Sequence, residues 1–524
     1  MFLKIALLVV FFAVMIGVGI ACRTSTSSVQ GFVLGSRKVG SWLTAFAFGT
    51  SYFSAVIFVG YAGQFGWRFG LASTWIGIGN ALLGSLLAWR VLGRRTRLMT
   101  QHLGSATMPD FFHRRFGSPA LKTAASVIIF IFLVPYTASL YNGLSRLFGM
   151  AFGIDYVWCV IGMAVLTGVY VLVGGYMATA VNDFIQGMIM LVGICAVVVA
   201  VLNGNGGFTA AIEKLSMIPS ESAPGLGGAF VSFFGPQPVF LLGVVLLTSL
   251  GTWGLPQMVG KFYAIRDEAA IRKGTVISTV FATIVAGGCY FLGGFGRLYA
   301  DRVEYTAAGT PIYDSIIPSM LSTLPDIMIG IVIILVLSAS MSTLSSLVLT
   351  SGSTLTLDII APASRGRMGE RSQLLCIRLL VIFFIVISSV LAIVQAKSSV
   401  TFIAQLMGIS WGALAGAFLA PFLYGLYWKR TSPAAVWVSF AIGIFIMCGC
   451  MFCTFTGKVF ISPFFTSPIN AGVLAMIAGL VVVPLVSAVS PMRASRRSEV
   501  DEMFSCYGHY VSVRATDALG DAED

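Results

Sequence analysis

Residues 337–346 read LSASMSTLSS, from Leu337 to Ser346, inside a segment that carries no charge between Ile327 and Leu357. Ser338, Ser342, Ser345 and Ser346 recur at helical spacing, so their hydroxyls share one face of one helix, with Thr343 beside them. A row of oxygens without nitrogens or thiolates suits a hard cation such as sodium, which needs replacements for its water. A single Ser or Thr in a membrane helix more often bonds back to its own helix or packs closely against a neighbour. The cluster favours an ion.

Outward from this stretch the chain is lipid-like throughout. Of its 524 residues 57% are apolar and only 10% charged, and the mean hydropathy is +0.93. A water-soluble protein of this length needs far more surface charge. Apolar runs of about twenty residues, each long enough to span a bilayer, recur along nearly the whole length, and about thirteen are expected. The net charge of +12 suggests nucleic acid only until its distribution is followed. Loops numbered alternately put most Lys and Arg on one side, including Arg94, Arg95, Arg97, Arg114, Arg115, Lys261, Arg266, Arg272, Lys273, Arg365, Arg367, Arg371, Lys429 and Arg430. Arg68, Lys214, Arg302, Lys397 and Lys458 are scattered over the other. The positive-inside rule then sets the N-terminus outside and the C-terminus in the cytoplasm, in a multi-pass protein of the plasma (inner) membrane. The partner is the lipid bilayer, and no nucleic acid is implied.

The first segment ends Gly19-Ile20-Ala21-Cys22, a loose likeness to a lipoprotein cleavage site. Its apolar run is too long for a typical signal, so a retained helix is expected. Cys450 and Cys453, with Cys448 before them, sit in an apolar helix, where thiolates are suppressed and small-residue packing is the natural role. The three histidines, His102, His113 and His509, all fall in cytoplasmic regions, which leaves no buried metal site or proton relay through histidine. No nucleophile–base pair lies at the membrane centre. An enzyme is not expected, and no cofactor beyond a coupling ion.

Segments two to eleven make ten helices that divide as five plus five, which suggests inverted repeats with one helix broken at the midplane of each half. The second contains Gly49-Thr50-Ser51, then Gly60 and Gly63; the seventh contains Gly251, Gly254 and Pro256 in SLGTWGLPQ. Such breaks free carbonyls that lipid does not tolerate but an ion or solute uses. The organisation follows: a first helix and cytoplasmic loop over 1–40, a first five-helix repeat over 41–202, an extracellular loop over 203–236, and a second repeat over 237–430. Two trailing helices over 431–490 and a polar cytoplasmic tail over 491–524, expected to be disordered in part, complete the chain. The loop's NGNGG and GLGG lack a following Lys-Ser/Thr and are no phosphate loop.

Asp183 stands at the inner start of the sixth segment, in AVNDFIQGMIML, with Gln186 one turn on. A carboxylate at that depth is costly and marks function by default, unless it is an interfacial Asp held by a helix N-terminus. No Lys or Arg is expected inside the bundle to pair with it, so sodium is expected to satisfy the charge.

At these residues the chain resembles the sodium:solute symporter family, which includes bacterial proline, pantothenate, sugar and sialic-acid symporters. The markers run in family order: FVLGSRKVGSW, GTSYFSAVIFVGYAGQFGWRFGL, LVGGYMATAVNDFIQG, WGLPQ, SASMSTLSS and the PFLYGLYWKR run ending at Arg430. The resemblance covers nearly everything from Gly31 to Arg430. It implies an all-α membrane protein with a leucine-transporter-like core of two inverted five-helix repeats, and sodium-coupled import of a small organic solute by alternating access. It implies a sodium site made of the carbonyls of Thr50, Phe53 and Ala339 and the hydroxyls of Ser342 and Thr343. In some members Asp183 with Ser342, Ser345 and Ser346 makes a second, which allows two sodium ions per cycle.

The implied solute liners are Tyr52, Ser54, Ile57, Thr252, Trp253, Pro256 and Gln405. Proline symporters typically have Asp where Tyr52 stands and aromatics where Thr248 and Thr252 stand, and sialic-acid members have Arg where Pro135 stands. These departures count against both solutes. VNDFIQGMIML with GLP is similar to the pantothenate-type branch, so a small carboxylate or zwitterion, pantothenate- or amino-acid-like, is the expected solute. Two other readings stay open: a transporter-like membrane sensor, and a proton-coupled carrier in which Asp183 titrates.

Overall fold

The computed structural model describes residues 2–23, 28–307, 309–396, 403–459, 462–490 and 494–509. Lys397 and the end of the tail, 510–524, lie outside the described residues.

The chain is helical almost throughout. In hydrocarbon only a helix or a closed barrel satisfies every backbone N–H and C=O within the protein. The principal helices are α1 (Phe2–Ala21), α2 (Ser41–Tyr52), α3 (Val56–His102), α4 (Pro119–Phe152), α5 (Tyr156–Gly204), α6 (Pro238–Leu250), α7 (Pro256–Ala264) and α8 (Glu268–Gly293). They continue with α9 (Asp326–Leu355), α10 (Glu370–Ala396), α11 (Ile403–Tyr427), α12 (Pro433–Thr456), α13 (Pro468–Val489) and α14 (Ala494–His509). Among the described residues nine helices are long and apolar enough to cross a membrane, or ten if the bent pair α6–α7 counts as one span. That is fewer than the thirteen expected, because runs read as separate adjoin within longer helical stretches. α3 and α5 run over 47 and 49 residues, but each is in two pieces: in α3 the backbone leaves the helical region at Gly70, with φ 61° and ψ −141°. The α5 run is interrupted at Gly175, whose φ of 55° and ψ of −152° leave the helical region, a conformation glycine adopts without a Cβ penalty.

α9 and α11 are sheathed by their neighbours, whereas Val165, Val192, Val239, Leu379, Phe445 and Leu485 leave apolar side chains exposed on the outside of the bundle. That is the pattern of a protein whose solvent is lipid. Association of such helices rests on close packing, and glycine supplies it where α3 crosses α8. A Cβ at Gly66 would lie 2.0 Å from the Gly293 carbonyl oxygen. A Cβ at Gly293 would lie 2.2 Å from that of Ala62.

The tail departs from the expected disorder over α14. Arg496 donates to the Arg115 carbonyl at 2.7 Å, Lys429 meets Asp501 at 2.6 Å, and the Tyr507 hydroxyl donates to the Leu426 carbonyl at 3.1 Å. The Arg95 guanidinium lies over the rings of Tyr427 and Tyr507. Polar composition alone suggested disorder, but charged side chains that cap loop carbonyls and stack on aromatics fold this segment onto the loops between membrane helices.

Candidate functional site

The first break in the helices falls between α2 and α3. Phe53 adopts an extended conformation (φ −85°, ψ 118°) and closes α2. The next turn starts afresh, with the amides of Ile57 and Phe58 both donating to the Ser54 carbonyl. The last carbonyls of α2 are thus left without helical donors, as at any helix C-terminus. Two of them, on Thr50 and Phe53, face α9. The Ser342 hydroxyl lies 3.2 Å from the Thr50 oxygen and 3.1 Å from that of Ala339. The Thr343 hydroxyl lies 3.2 Å from Thr50 O, 3.5 Å from Phe53 O and 3.1 Å from Ala339 O. All five residues are buried. Oxygens about 2.4 Å from a cation of sodium's or calcium's size stand roughly 3.4 Å apart at right angles, so this spacing suits such an ion.

The second break joins α6 to α7 through a 3-10 turn at Gly251–Gly254, and the two halves are bent by 48°. Thr252 and Trp253 turn toward α3: the Thr252 hydroxyl, which donates to the Ser249 carbonyl of its own helix at 2.8 Å, lies 3.4 Å from the Gly84 carbonyl, and the Trp253 indole donates to the Leu83 carbonyl at 3.0 Å. Tyr52 and Ser54, by contrast, keep buried hydroxyls that have no hydrogen-bond partner in the structure. The Tyr52 ring packs on Trp411 with centroids 5.6 Å apart, and Tyr136 meets the same indole edge-on at 6.0 Å. The hydroxyls of Tyr61, Tyr136 and Ser410 and the Trp411 N–H are likewise buried without a well-formed hydrogen bond, that of Tyr136 lying toward Ser54 and Trp411. Ile57 is buried in the same helix as Tyr61, and Gln405 is half-buried near the start of α11. Pro256 lines a different space, a cavity of about 60 Å³ shared with Tyr176, Gln257, Lys261, Ser346 and Thr350.

Two elements of the sequence reading change here. Lys261 is not a loop residue. It lies on α7 in the bundle interior, buried, with Nζ 3.7 Å from Asp183 Oδ2 and 3.0 Å from Ser346 Oγ. The expectation that no cation inside the bundle faces Asp183 is therefore wrong: Lys261 counts with the basic loop residues in the sequence, but the helix restarted by Pro256 runs on to Ala264 and carries it inward. Asp183 itself is fully buried within the protein. Of the residues grouped with it, Ser345 donates to the Ser342 carbonyl at 2.9 Å, whereas Ser346 meets Ser51 Oγ at 2.9 Å as well as Lys261. Sequence reasoning also missed Tyr136 and Trp411. The available signal was a polar-tipped aromatic in an otherwise apolar helix.

Residues 32–443 match the model of the sodium:solute symporter family. An osmoregulated proline transporter of Bacillus subtilis is 28% identical over 499 residues, covering 93% of this chain and 95% of that protein. Sodium/proline symporter 2 of Staphylococcus saprophyticus is 28% identical over 453 residues, covering 84% and 85%. Among solved structures, the substrate-bound outward-open state of a sodium-coupled sialic acid symporter superposes with a TM-score of 0.70 at 15% identity, covering 94% of this chain and 98% of that one. The inward-facing conformation of Mhp1 gives 0.50 at 14% identity, covering 89% and 94%. The helical, leucine-transporter-like architecture is shared with these structures, and the chain belongs to the sodium:solute symporter family.

Proposed function

We propose that this chain, a sodium-coupled secondary transporter of a small organic solute, imports a carboxylate-bearing or zwitterionic metabolite across the plasma membrane with its N-terminus outside and its C-terminus in the cytoplasm. The observation that carries the ion reading is the convergence of five oxygens from Thr50, Phe53, Ala339, Ser342 and Thr343 across a broken helix. Bound there, sodium ties α2 to α9, and the state with that tie is the one that holds solute; differential binding to two states is what couples the gradients.

For the solute, support comes from Tyr52, Tyr136 and Trp411, whose rings meet beside the break with their polar tips lacking a well-formed hydrogen bond. Aromatic faces favour an ammonium group. Hydroxyls, the indole N–H and free amides at the helix break suit a carboxylate. Ser54 adds a hydroxyl, while Ile57 and Gln405 complete the walls. Thr252 and Trp253 act from behind, through α3. The named relatives carry proline in their names, but Tyr52, Thr248 and Thr252 depart from the proline pattern, so an amino acid other than proline, or a pantothenate-like acid, fits better.

We read 41–202 and 237–430 as the two five-helix halves. Counting α1 as a span, dividing α5 at Gly175 and joining α2 to the first turns of α3 as one broken span brings the spans to thirteen. Purified protein in liposomes, given an inward sodium gradient, should accumulate an amino acid, a short monocarboxylate or pantothenate, and choline in place of sodium should abolish uptake. Sodium-dependent hexose uptake that none of these acids inhibits would overturn the solute assignment.

A further inference from the structure

The buried Lys261 and Asp183 are not explained by a single sodium site, and their surroundings are specific. Lys261 Nζ touches Ser346 Oγ at 3.0 Å, faces Asp183 Oδ2 at 3.7 Å and stands over the Tyr176 ring, 5.3 Å from its centroid. A hydroxyl, a carboxylate and an aromatic face make a cation site, and the cation is covalently part of the chain. Both Asp183 oxygens lack hydrogen bonds, so in the protein interior the carboxylate relies on the ammonium for compensation. Ser346 lies one helical turn from Ser342 and Thr343 on α9, and Lys261 therefore stands between Asp183 and the hydroxyl row. An ion placed among Asp183, Ser345 and Ser346 would meet a positive charge in contact with two of those three residues, in a medium that screens it poorly.

From this we propose that the Lys261 ammonium is a fixed internal cation standing where a second coupling sodium would otherwise bind, so that the carrier takes up one sodium per cycle and Lys261 sets that number. The inference rests on reading Ser342 and Thr343 as ligands of the first sodium. It also assigns Lys261 a mechanical role: it links α7, the half-helix after the second break, to α5 and α9 without consuming an ion from the gradient.

Sodium itself is the probe, so no solute need be known. Saturation binding of radiolabelled sodium to the purified full-length protein in detergent should count about one ion per chain. In Lys261→Met the unpaired Asp183 should recruit a second ion and raise the count towards two, while Asp183→Asn/Lys261→Met should return it to one. Lys261→Gln, which keeps a hydrogen bond to Ser346, should show the same rise and serves if the Met variant aggregates on size exclusion. Two ions bound by the wild type would overturn this proposal alone. So would a count of one in monodisperse Lys261→Met. No bound sodium in the wild type would overturn the first site and this inference with it.

Discussion

Tyr136 and Trp411 hold their polar tips in the protein core beside Tyr52 and the helix break, turned toward each other and toward Ser54 but without a well-formed hydrogen bond. Leaving such groups unsatisfied costs about 1–3 kcal/mol each, and a solute that bonds them recovers that cost on binding. Tyr136→Phe should therefore raise the solute KM by about tenfold or more, since a hydrogen bond to a charged group is worth ~1.5–3 kcal/mol. It should leave the sodium concentration for half-maximal uptake nearly unchanged. An unaltered KM would remove Tyr136 from the solute site. The residue scale is also where the sequence was hardest to read. The hydroxyls of Ser342 and Thr343 stood out because they share a helical face in an uncharged segment. Tyr136 and Trp411 did not, since aromatics are ordinary in membrane helices and only the fold brings these two together. Lys261 was hidden by hydropathy: a basic residue closing an apolar run looks like a loop, and only the helix restarted at Pro256 carries it inward.

At the level of elements, both breaks were legible from Gly and Pro, because these residues disrupt the backbone ladder that lipid otherwise enforces. The exact point was not. In α2 the break falls at Phe53 and Ser54, just past the Gly49-Thr50-Ser51 expected to make it. The adjoining runs within α3 and within α5 were hard to delimit for a related reason, since only a single glycine out of the helical region, Gly70 or Gly175, separates one piece from the next. The crossing of α3 on α8 gives a test of packing. Gly66→Ala would place a methyl 2.0 Å from the Gly293 oxygen. Overpacking of this kind typically costs about 1–3 kcal/mol, so thermal unfolding in detergent should shift down by several degrees. Gly162→Ala on α5, with nothing within 4 Å of the new methyl, should leave it unchanged. Equal melting temperatures for the two variants would show that the α3–α8 approach is not tight.

For the whole molecule, the cavity beside Lys261 is lined by Ala106, Thr107, Thr350 and Ser353, at the ends of helices assigned to the cytoplasmic side. Alternating access requires this space to open inward and close when sodium favours the opposite state. Thr350→Cys should react with a membrane-impermeant thiol reagent in inside-out vesicles, more slowly with sodium present, and not in right-side-out cells. Labelling from outside alone would reverse the assigned topology. The central claim is narrower: five oxygens on the α2 break and α9 bind the ion that drives uptake. Its most direct test is the sodium dependence of solute uptake in proteoliposomes, comparing the wild type with Ser342→Ala and Thr343→Ala. Loss of one oxygen ligand to a charged partner, at ~1.5–3 kcal/mol, predicts that half-maximal sodium rises about tenfold to a hundredfold in each variant at unchanged protein level. Sodium activation curves that superpose on the wild type in both variants would contradict it.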